Sequence, residues 1–215
     1  MSQPREIRDQ LVGVLTKIPS EFNFHDAIGN SRFDRKAFDK LIDALKAWFV
    51  DKVEVEIFSQ SWFVDKFGGE GGAYYSPGNN VFGFLDGYNF GDAYRKSVAV
   101  HESIHALQDG LQLSYTPPEH ELTAYSGQAL YYRLITKGKT RDAGIAGLMQ
   151  KKTLEWDIFA AADKVAKGIA NTGSLNRKSE GLDELRAAIN KHPLYKPKAK
   201  GKNGKKPAKK KGDGW

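Results

Sequence analysis

One short stretch constrains this chain more than any other, because it predicts both a helix and a metal site. Residues 98–109 read VAVHESIHALQD and place His101 and His105 four positions apart. Residues four apart lie on one face of an α-helix, so both imidazoles can reach a single ion. Apolar residues at helical spacing predict that a neighbouring face of this helix is buried, namely Val100, Ile104, Leu107 and Leu111.

The acidic residue inside this motif indicates the chemistry. A catalytic zinc takes three protein ligands and keeps a water in its fourth position. Zinc lowers the pKa of that water, and a carboxylate beside it can take the proton as the water attacks a carbonyl. Glu102 is next to His101, so the motif predicts zinc-dependent hydrolysis of peptide bonds with Glu102 as general base. The alternative is a half-buried helix whose two histidines are merely hydrogen-bonded.

A third ligand is expected from the segment that follows. Residues 116–119 read TPPE, which is typical of a helix start, with threonine as N-cap and Glu119 at the capping-box position. This gives Glu119 a structural task. Glu121 lies further along the same predicted helix, which can present it to the ion if the two helices pack together. Glu121 is therefore the preferred third ligand, with Glu119 and His120 as alternatives.

These residues resemble the zincin metallopeptidases, and more narrowly the branch in which a glutamate is the third zinc ligand. The resemblance covers about residues 70–135 and implies that His101, His105 and Glu121 hold Zn²⁺ and that Glu102 is the base. It also implies a zincin-like α+β fold: a small mixed or antiparallel sheet, an active-site helix and a following helix that bears the third ligand. The aspartate that this branch carries four residues after the glutamate is replaced by Tyr125.

The oxyanion formed during peptide hydrolysis needs a hydrogen-bond donor besides the metal. Tyr125 shares a helical face with Glu121, so it is the preferred donor. The other candidates are Tyr132 on the same helix and Tyr74, Tyr75, Tyr115 and His192 elsewhere. Asp109, four residues after His105, is a candidate for orienting an imidazole.

Strands are predicted before the motif. Residues 53–57 alternate apolar and acidic side chains, so Glu54 and Glu56 are expected to face solvent rather than to form a catalytic pair. Residues 72–75 and 81–85 predict a hairpin. By resemblance to zincins, this hairpin would hold an extended substrate by backbone pairing.

Helical periodicity also appears at 5–18, 38–49, 154–165 and 182–190, whereas 19–31 is expected to be a loop with His25 as a surface residue. The chain has no cysteine, which excludes disulfides and thiolate zinc sites. The sequence has no uninterrupted apolar run that would predict a signal peptide or a membrane span. A cytoplasmic location is therefore expected.

Charge divides the chain into two parts. Residues 196–215 contain nine lysines and one aspartate and so carry a charge of +8. The net charge of the chain is +7, so residues 1–195 carry −1. We expect a zincin-like metallopeptidase domain over 1–195 and a disordered Lys-rich tail over 196–215. The substrate is expected to be a peptide or protein. The lysines of 196–211 can bind nucleic acid or another acidic surface without sequence specificity. Two further functions follow as alternatives: a non-catalytic zincin-fold binding module, and a protein that its tail localises on nucleic acid.

Overall fold

The computed structural model describes residues 3–47, 53–67, 72–138, 149–150 and 153–195. Its α-helices in chain order are α1 (Pro4–Thr16), α2 (Arg35–Lys46), α3 (Gln60–Phe67), α4 (Ala93–Gly110), α5 (Pro117–Thr136), α6 (Leu154–Thr172) and α7 (Leu182–Lys191). The strands are β1 (Phe24–Asp26), β2 (Ser31–Phe33), β3 (Glu54–Phe58), β4 (Ala73–Ser76), β5 (Val81–Leu85) and β6 (Ser174–Leu175). A 3-10 helix, Pro193–Tyr195, follows α7.

The strands form two small mixed sheets. The first has the order β3-β5-β4, in which β3 is parallel and β4 antiparallel to β5. The second has the order β2-β1-β6, in which β2 is antiparallel and β6 parallel to β1. The predicted α+β class and the predicted hairpin are thereby confirmed. Glu54 and Glu56 are exposed on β3, as their alternation predicted.

The helices α4 and α5, which carry the predicted metal ligands, pack against each other, and α5 also packs against α6. Their close approach depends on Gly127 of α5. A Cβ atom there would lie 2.2 Å from Cδ1 of Ile104, a fully buried residue of α4. Glycine leaves room for this methyl group, so the contact between Gly127 and Ile104 sets the spacing of the two helices that carry the predicted metal ligands.

A buried carboxylate ties the beginning of α5 to the second sheet. Asp26 of β1 is fully buried and accepts hydrogen bonds from the hydroxyls of Tyr115 at 2.6 Å and Thr123 at 2.8 Å. It also accepts a hydrogen bond from the backbone N–H of Ile28 at 2.9 Å. Burying a carboxylate is costly unless its oxygens are satisfied, and here several donors satisfy them. Asp26 therefore fixes the N-terminal turns of α5, where Glu121 lies.

The predicted apolar face of α4 is confirmed except at its end. Val100, Ile104 and Leu107 are buried, whereas Leu111 is 44% exposed. The helix ends at Gly110 and Leu111 is its C-cap residue, so the Leu111 side chain lies at the exposed end of α4.

Two further differences concern short elements. The strand β1 lies within the segment 19–31, which the sequence predicted to be a loop. Phe24 and Asp26 are buried there while His25 between them is exposed, so the strand is real but too short for its alternation to be recognised. The helix α3 was not predicted. It shields aromatic residues on the outer face of the first sheet, where the ring of Trp62 stacks on Tyr74.

The helices predicted at 5–18 and 182–190 are confirmed as α1 and α7. Trp48 and Phe49 at the end of the predicted second helix, and the Lys-rich segment 196–215, lie outside the described residues. No helix within the described ranges is long and apolar enough to cross a lipid bilayer.

Candidate metal centre

The two histidines of the motif share one face of α4, as predicted. The helix begins after Asp92, whose side chain accepts a hydrogen bond from the backbone N–H of Arg95 at 2.7 Å. Three turns into the helix, the Nε2 atoms of His101 and His105 lie 3.1 Å apart. The two imidazole rings meet edge to face. Both side chains therefore point their Nε2 atoms to a common point.

Glu121 of α5 supplies the third group at that point. Its Oε2 lies 3.4 Å from Nε2 of His101, and its Oε1 lies 3.5 Å from Nε2 of His105. The three side chains are 7%, 13% and 16% exposed respectively for His101, His105 and Glu121. The predicted convergence of two helices on one site is what the structure shows, and the role of these residues as metal ligands stays a prediction.

The two alternative third ligands have other contacts. Glu119 accepts hydrogen bonds from the backbone N–H of Thr116 at 2.9 Å and from its hydroxyl at 2.8 Å, which is the capping task expected of it. The Nδ1 atom of His120 lies 3.1 Å from Oε1 of Gln108. Within the described residues, the group of side chains that can hold a metal ion contains His101, His105 and Glu121, but neither alternative.

The spacing of these donors fits a tetrahedral zinc. With zinc–ligand bonds of about 2.0–2.1 Å, the donor atoms of a tetrahedron lie about 3.3–3.4 Å from one another. The two Nε2 atoms lie 3.1 Å apart. The carboxylate of Glu121 makes its 3.4 Å contact with His101 through Oε2 and its 3.5 Å contact with His105 through Oε1, so two different oxygens make these contacts. Oε2 of Glu121 is also buried and has no hydrogen-bond partner among the described residues, so it is a donor atom available to an ion.

The charges in this cluster stabilise one another. Burial alone would lower the pKa of His105, but the charge and the hydrogen bond of Glu121, together with Glu102 and Gln108, raise it to about 9. Burial alone would raise the pKa of Glu121, but His105 and His101 hold it well below its usual range. The carboxylate is therefore ionised at neutral pH, as a metal ligand must be, and a cation at this point is favoured electrostatically.

Gln108 connects the two helices beside the site, a role that no pattern in the sequence indicated. Its Oε1 accepts hydrogen bonds from Nδ1 of His105 at 2.9 Å and from Nδ1 of His120 at 3.1 Å. Its Nε2 donates to the backbone carbonyl of His120 at 3.2 Å. Because an amide oxygen only accepts, Nδ1 of His105 carries a proton, so Nε2 is the nitrogen that can bind a metal once it has lost its own proton. The residue considered for this task, Asp109, instead accepts a hydrogen bond from the Tyr75 hydroxyl at 3.0 Å.

Glu102, the predicted general base, is fixed between α4 and the first sheet. Its Oε2 accepts a 2.7 Å hydrogen bond from the backbone N–H of Tyr75 on β4. Burial raises the pKa of Glu102, and the adjacent His101 and His105 oppose this rise. A carboxylate with a raised pKa is better matched to taking up a proton near neutral pH than an ordinary one.

Tyr125 lies in the site, but its hydroxyl is paired with a residue that the sequence did not single out. The Tyr125 ring packs edge to face against His101, with ring centres 4.4 Å apart. Its hydroxyl lies 2.9 Å from the hydroxyl of Tyr195 in the 3-10 helix. Burial raises the pKa of both phenols well above the usual value, so both remain protonated and able to donate hydrogen bonds. Tyr195 is 70 residues away in sequence, and no local pattern connects the two.

The remaining candidates for the oxyanion donor are engaged elsewhere. Tyr132 is buried with its ring against Phe159, and Tyr74 stacks on Trp62. The Tyr115 hydroxyl contacts Asp26, the Tyr75 hydroxyl contacts Asp109, and the His192 ring contacts Glu155. Tyr125 and Tyr195 are therefore the tyrosines that the geometry favours.

Comparisons with protein-family models, with curated proteins and with solved structures give no match. The function of this chain is therefore inferred from the chemistry of the site itself. That chemistry consists of two imidazoles and a carboxylate that could hold a metal ion, the carboxylate of Glu102 fixed by Tyr75, and the Tyr125 ring against His101, with its hydroxyl paired to that of Tyr195.

Proposed function

We propose that this protein is a zinc-dependent peptidase with a zincin-like arrangement of its site. The observation that carries the proposal is the convergence of His101, His105 and Glu121 at separations of 3.1 to 3.5 Å, with Glu102 directly after the first histidine. Two imidazoles and one carboxylate are a donor set of catalytic zinc sites, which leave the fourth position open. A closed structural site would be expected to have a fourth protein ligand, and none lies with this group among the described residues.

Glu102 is the proposed general base. When zinc is bound at the triad, it supplies Lewis-acid chemistry by lowering the pKa of water and polarising a carbonyl. The carboxylate of Glu102 takes the proton from the attacking water and later passes it to the leaving amine. The hydrogen bond from Tyr75 holds one carboxylate oxygen in place, so the other oxygen is oriented for this transfer.

The hydroxyls of Tyr125 and Tyr195 are the proposed donors to the developing oxyanion. Both phenols are protonated at neutral pH, and the Tyr125 ring contacts His101. When one hydroxyl turns towards the substrate, the other remains as its hydrogen-bond partner. Because its partner stays in place, the hydroxyl that turns loses little hydrogen-bond energy. A small cost of reorganisation is the condition for effective electrostatic stabilisation of the oxyanion.

An extended peptide is the proposed substrate, bound along β4. This strand is at one end of its sheet and pairs with β5 on its other side. The backbone N–H of Tyr75 points away from β5 and is taken by Glu102 of α4, so a peptide would pair with this edge of β4 beside Tyr75 rather than through it. A peptide paired with this edge would pass close to the reacting groups.

A second candidate function is a binding module in which the triad has a structural role. The observation that favours it is the ion pairing of the triad, because Glu121 lies within 3.5 Å of a histidine whose pKa is raised to about 9. Such a pair can join α4 and α5 without a metal. Metal analysis separates the two candidates, since only the peptidase requires a bound ion.

The test combines metal content with peptide cleavage. Purified wild-type protein should contain about one zinc per chain, and His101→Ala should lose it. Wild type should cleave a peptide library, and Glu102→Gln should retain zinc while losing cleavage. Glu56→Gln, which alters an exposed carboxylate on β3, is the matched control and should behave as wild type. Zinc-free wild type, or equal cleavage by wild type and Glu102→Gln, would contradict the proposal.

A further inference from the structure

Tyr75 of β4 contacts α4 at two points, one through its backbone and one through its side chain. Its backbone N–H donates to Oε2 of Glu102 at 2.7 Å, and its hydroxyl lies 3.0 Å from Oδ2 of Asp109. The two carboxylates are seven residues apart, so they lie about two turns and roughly 10 Å apart on one face of the helix. A single residue of the edge strand therefore bridges the part of α4 that carries both predicted histidine ligands.

The Tyr75 side chain has little freedom between these two contacts. Tyr75 and Glu102 are both buried, and the Tyr75 ring packs against Phe82 of β5 with ring centres 5.0 Å apart. A tyrosine side chain is rigid apart from two torsions. When Asp109 holds the hydroxyl and Phe82 holds the ring, the direction of the backbone N–H is restricted as well. The position of the Glu102 carboxylate thus depends on a contact seven residues further along the same helix.

The Tyr75 hydroxyl has one proton and two oxygen neighbours. Oδ2 of Asp109 lies at 3.0 Å, and Oδ1 of Asn80, in the turn between β4 and β5, lies at 3.1 Å. An ionised carboxylate is a stronger acceptor than an amide oxygen, so Asp109 takes the proton. The Asn80 amide can present its NH₂ group to the hydroxyl oxygen after a half-turn. The hydroxyl is then bonded on both sides, which fixes its place relative to α4.

We propose that Asp109 and the Tyr75 hydroxyl are positioning groups for the general base Glu102. Asp109 holds the hydroxyl, the hydroxyl holds the Tyr75 backbone, and the backbone N–H holds one oxygen of Glu102. This inference rests on the proposed peptidase function and gives Asp109 a task other than orienting an imidazole. Neither group touches the reacting atoms, so the loss of either one acts through Glu102.

The sheet does not need this contact to hold β4. Four residue pairs, from Ala73 opposite Phe84 to Ser76 opposite Val81, join β4 to β5. The contact between the hydroxyl and Asp109 is additional to that ladder and links β4 to α4. Removing the hydroxyl therefore leaves the strand in its sheet and releases only its placement against the helix. The consequences should appear in catalysis rather than in zinc binding or folding.

The first test measures kcat, KM and zinc content in full-length variants, with a peptide that wild type selects from the library. Tyr75→Phe and Asp109→Leu should each lower kcat by about 10- to 100-fold, because the base is no longer held in its reacting geometry. KM should change less than kcat, and zinc should stay at about one per chain. The double variant should be no slower than the poorer single variant, since both changes remove one contact. The controls are Tyr131→Phe on α5 and Asp43→Asn on the exposed face of α2, and both should match wild type.

Conservative variants separate a positioning role from a general loss of packing. Asp109→Asn keeps an oxygen that accepts the hydroxyl proton, so it should retain most of the kcat that Asp109→Leu loses. Asn80→Asp puts a second carboxylate beside a hydroxyl with one proton. It should lower kcat more than Asn80→Gly, which removes the side chain and suits the φ of 54° at this position. Wild-type kcat in Asp109→Leu, or a raised KM with kcat unchanged, would overturn the proposal.

Hydrogen exchange separates failure of this inference from failure of the peptidase proposal. In the full chain the Tyr75 amide should exchange slowly, and Glu102→Ala should show the rate that follows complete loss of its acceptor. Tyr75→Phe and Asp109→Leu should each raise exchange at residue 75 by about tenfold, while the amide of Phe82 in β5 stays protected. Faster exchange in a protein that cleaves no peptide would support the link from Asp109 to Glu102, and only the peptidase proposal would fail. Unchanged exchange at residue 75 in both variants would overturn the inference, whatever the activity of wild type.

Discussion

The Nδ1 atom of His105 donates a 2.9 Å hydrogen bond to Oε1 of Gln108, and this bond links the site to the next helix. The same oxygen accepts a hydrogen bond from His120 of α5, and the Gln108 amide nitrogen donates to the His120 backbone carbonyl. Glu121 is the next residue, so one buried side chain orients an imidazole from α4 and fixes the backbone that carries the carboxylate.

Gln108→Leu should weaken zinc binding by about 10- to 100-fold, because it removes the group that holds the His105 tautomer. Gln108→Glu keeps an acceptor for Nδ1 and should bind zinc more tightly than Gln108→Leu. Competition with a chromophoric chelator measures both affinities. Gln10→Leu on the exposed face of α1 serves as a control, and unchanged zinc affinity in Gln108→Leu would show that Gln108 does not position the ligand.

Replacing either site tyrosine by phenylalanine should lower kcat by about 10²- to 10³-fold, the usual effect of losing one oxyanion donor. Zinc content should not change, because neither hydroxyl is among the three ligands. Tyr125 and Tyr195 share one hydrogen bond, so the double variant should be little worse than the poorer single variant. Tyr131→Phe, whose ring packs against Phe22, is the control. Full activity in both single variants would exclude the pair as oxyanion donors.

The parts of the site that could be predicted from sequence are those that follow from helical geometry. His101 and His105 are four apart on a strongly periodic helix, so their common face follows from the rotation per residue. The Thr116 and Glu119 pattern likewise predicted where α5 begins, which placed Glu121 one turn into that helix. Local rules were sufficient because each of these relationships lies within one helix or its cap.

The remaining features depend on contacts between distant parts of the chain. Tyr195 reaches Tyr125 only because α7 and the 3-10 helix fold back on α5. The strand β1 is stabilised by pairing with β6, where His25 lies opposite Ser174, and a strand of three residues has too little alternation to be recognised. Gln108 has no feature that distinguishes it from any other polar residue near a helix end until α5 is packed beside it.

Zinc should stabilise the protein more strongly as the pH rises from about 6.5 to 9. Burial alone would lower the pKa of His105, but Glu121, together with Glu102 and Gln108, raises it from 6.5 to about 9. The ion pair therefore stabilises the folded state fully below pH 6.5. Its contribution is lost as the pH rises through 9. The pKa of Glu121 is lowered from 4.5, so on the acidic side the ion pair stops stabilising the folded state only as the pH falls below 4.5. Zinc requires neutral imidazoles, so its contribution increases over the range in which the ion pair weakens.

Thermal unfolding of chelator-treated and zinc-loaded protein at several pH values measures this difference. The gap in Tm should widen between pH 6.5 and 9, and a gap that narrows over this range would contradict the assignment of the three ligands. In Glu121→Gln the chelator-treated protein should lose less stability over this range than wild type, because the raised pKa of His105 depends on that carboxylate.

Two glycine-to-alanine substitutions should have opposite effects on stability. Alanine favours a helix over glycine by about 1 kcal/mol, and at Gly168 of α6 a Cβ atom meets nothing within 4 Å, so Gly168→Ala should raise the free energy of unfolding by about 0.5–1 kcal/mol. At Gly127 the Cβ atom would lie 2.2 Å from Cδ1 of Ile104. Overpacking of this kind costs about 1–3 kcal/mol, which should cancel or exceed the helical gain.

Combining Gly127→Ala with Ile104→Val tests the cause of that cost. Ile104→Val removes the clashing methyl group and should by itself cost about 0.5–1.5 kcal/mol, because it leaves a small cavity. In the double variant the alanine methyl occupies that space, so the double variant should be more stable than the sum of the single effects by at least about 1 kcal/mol. Urea unfolding of the four proteins measures this coupling. Additive effects would mean that contact between Gly127 and Ile104 does not set the spacing of α4 and α5. The position of Glu121 relative to the two histidines would then depend on other contacts, such as those of Asp26.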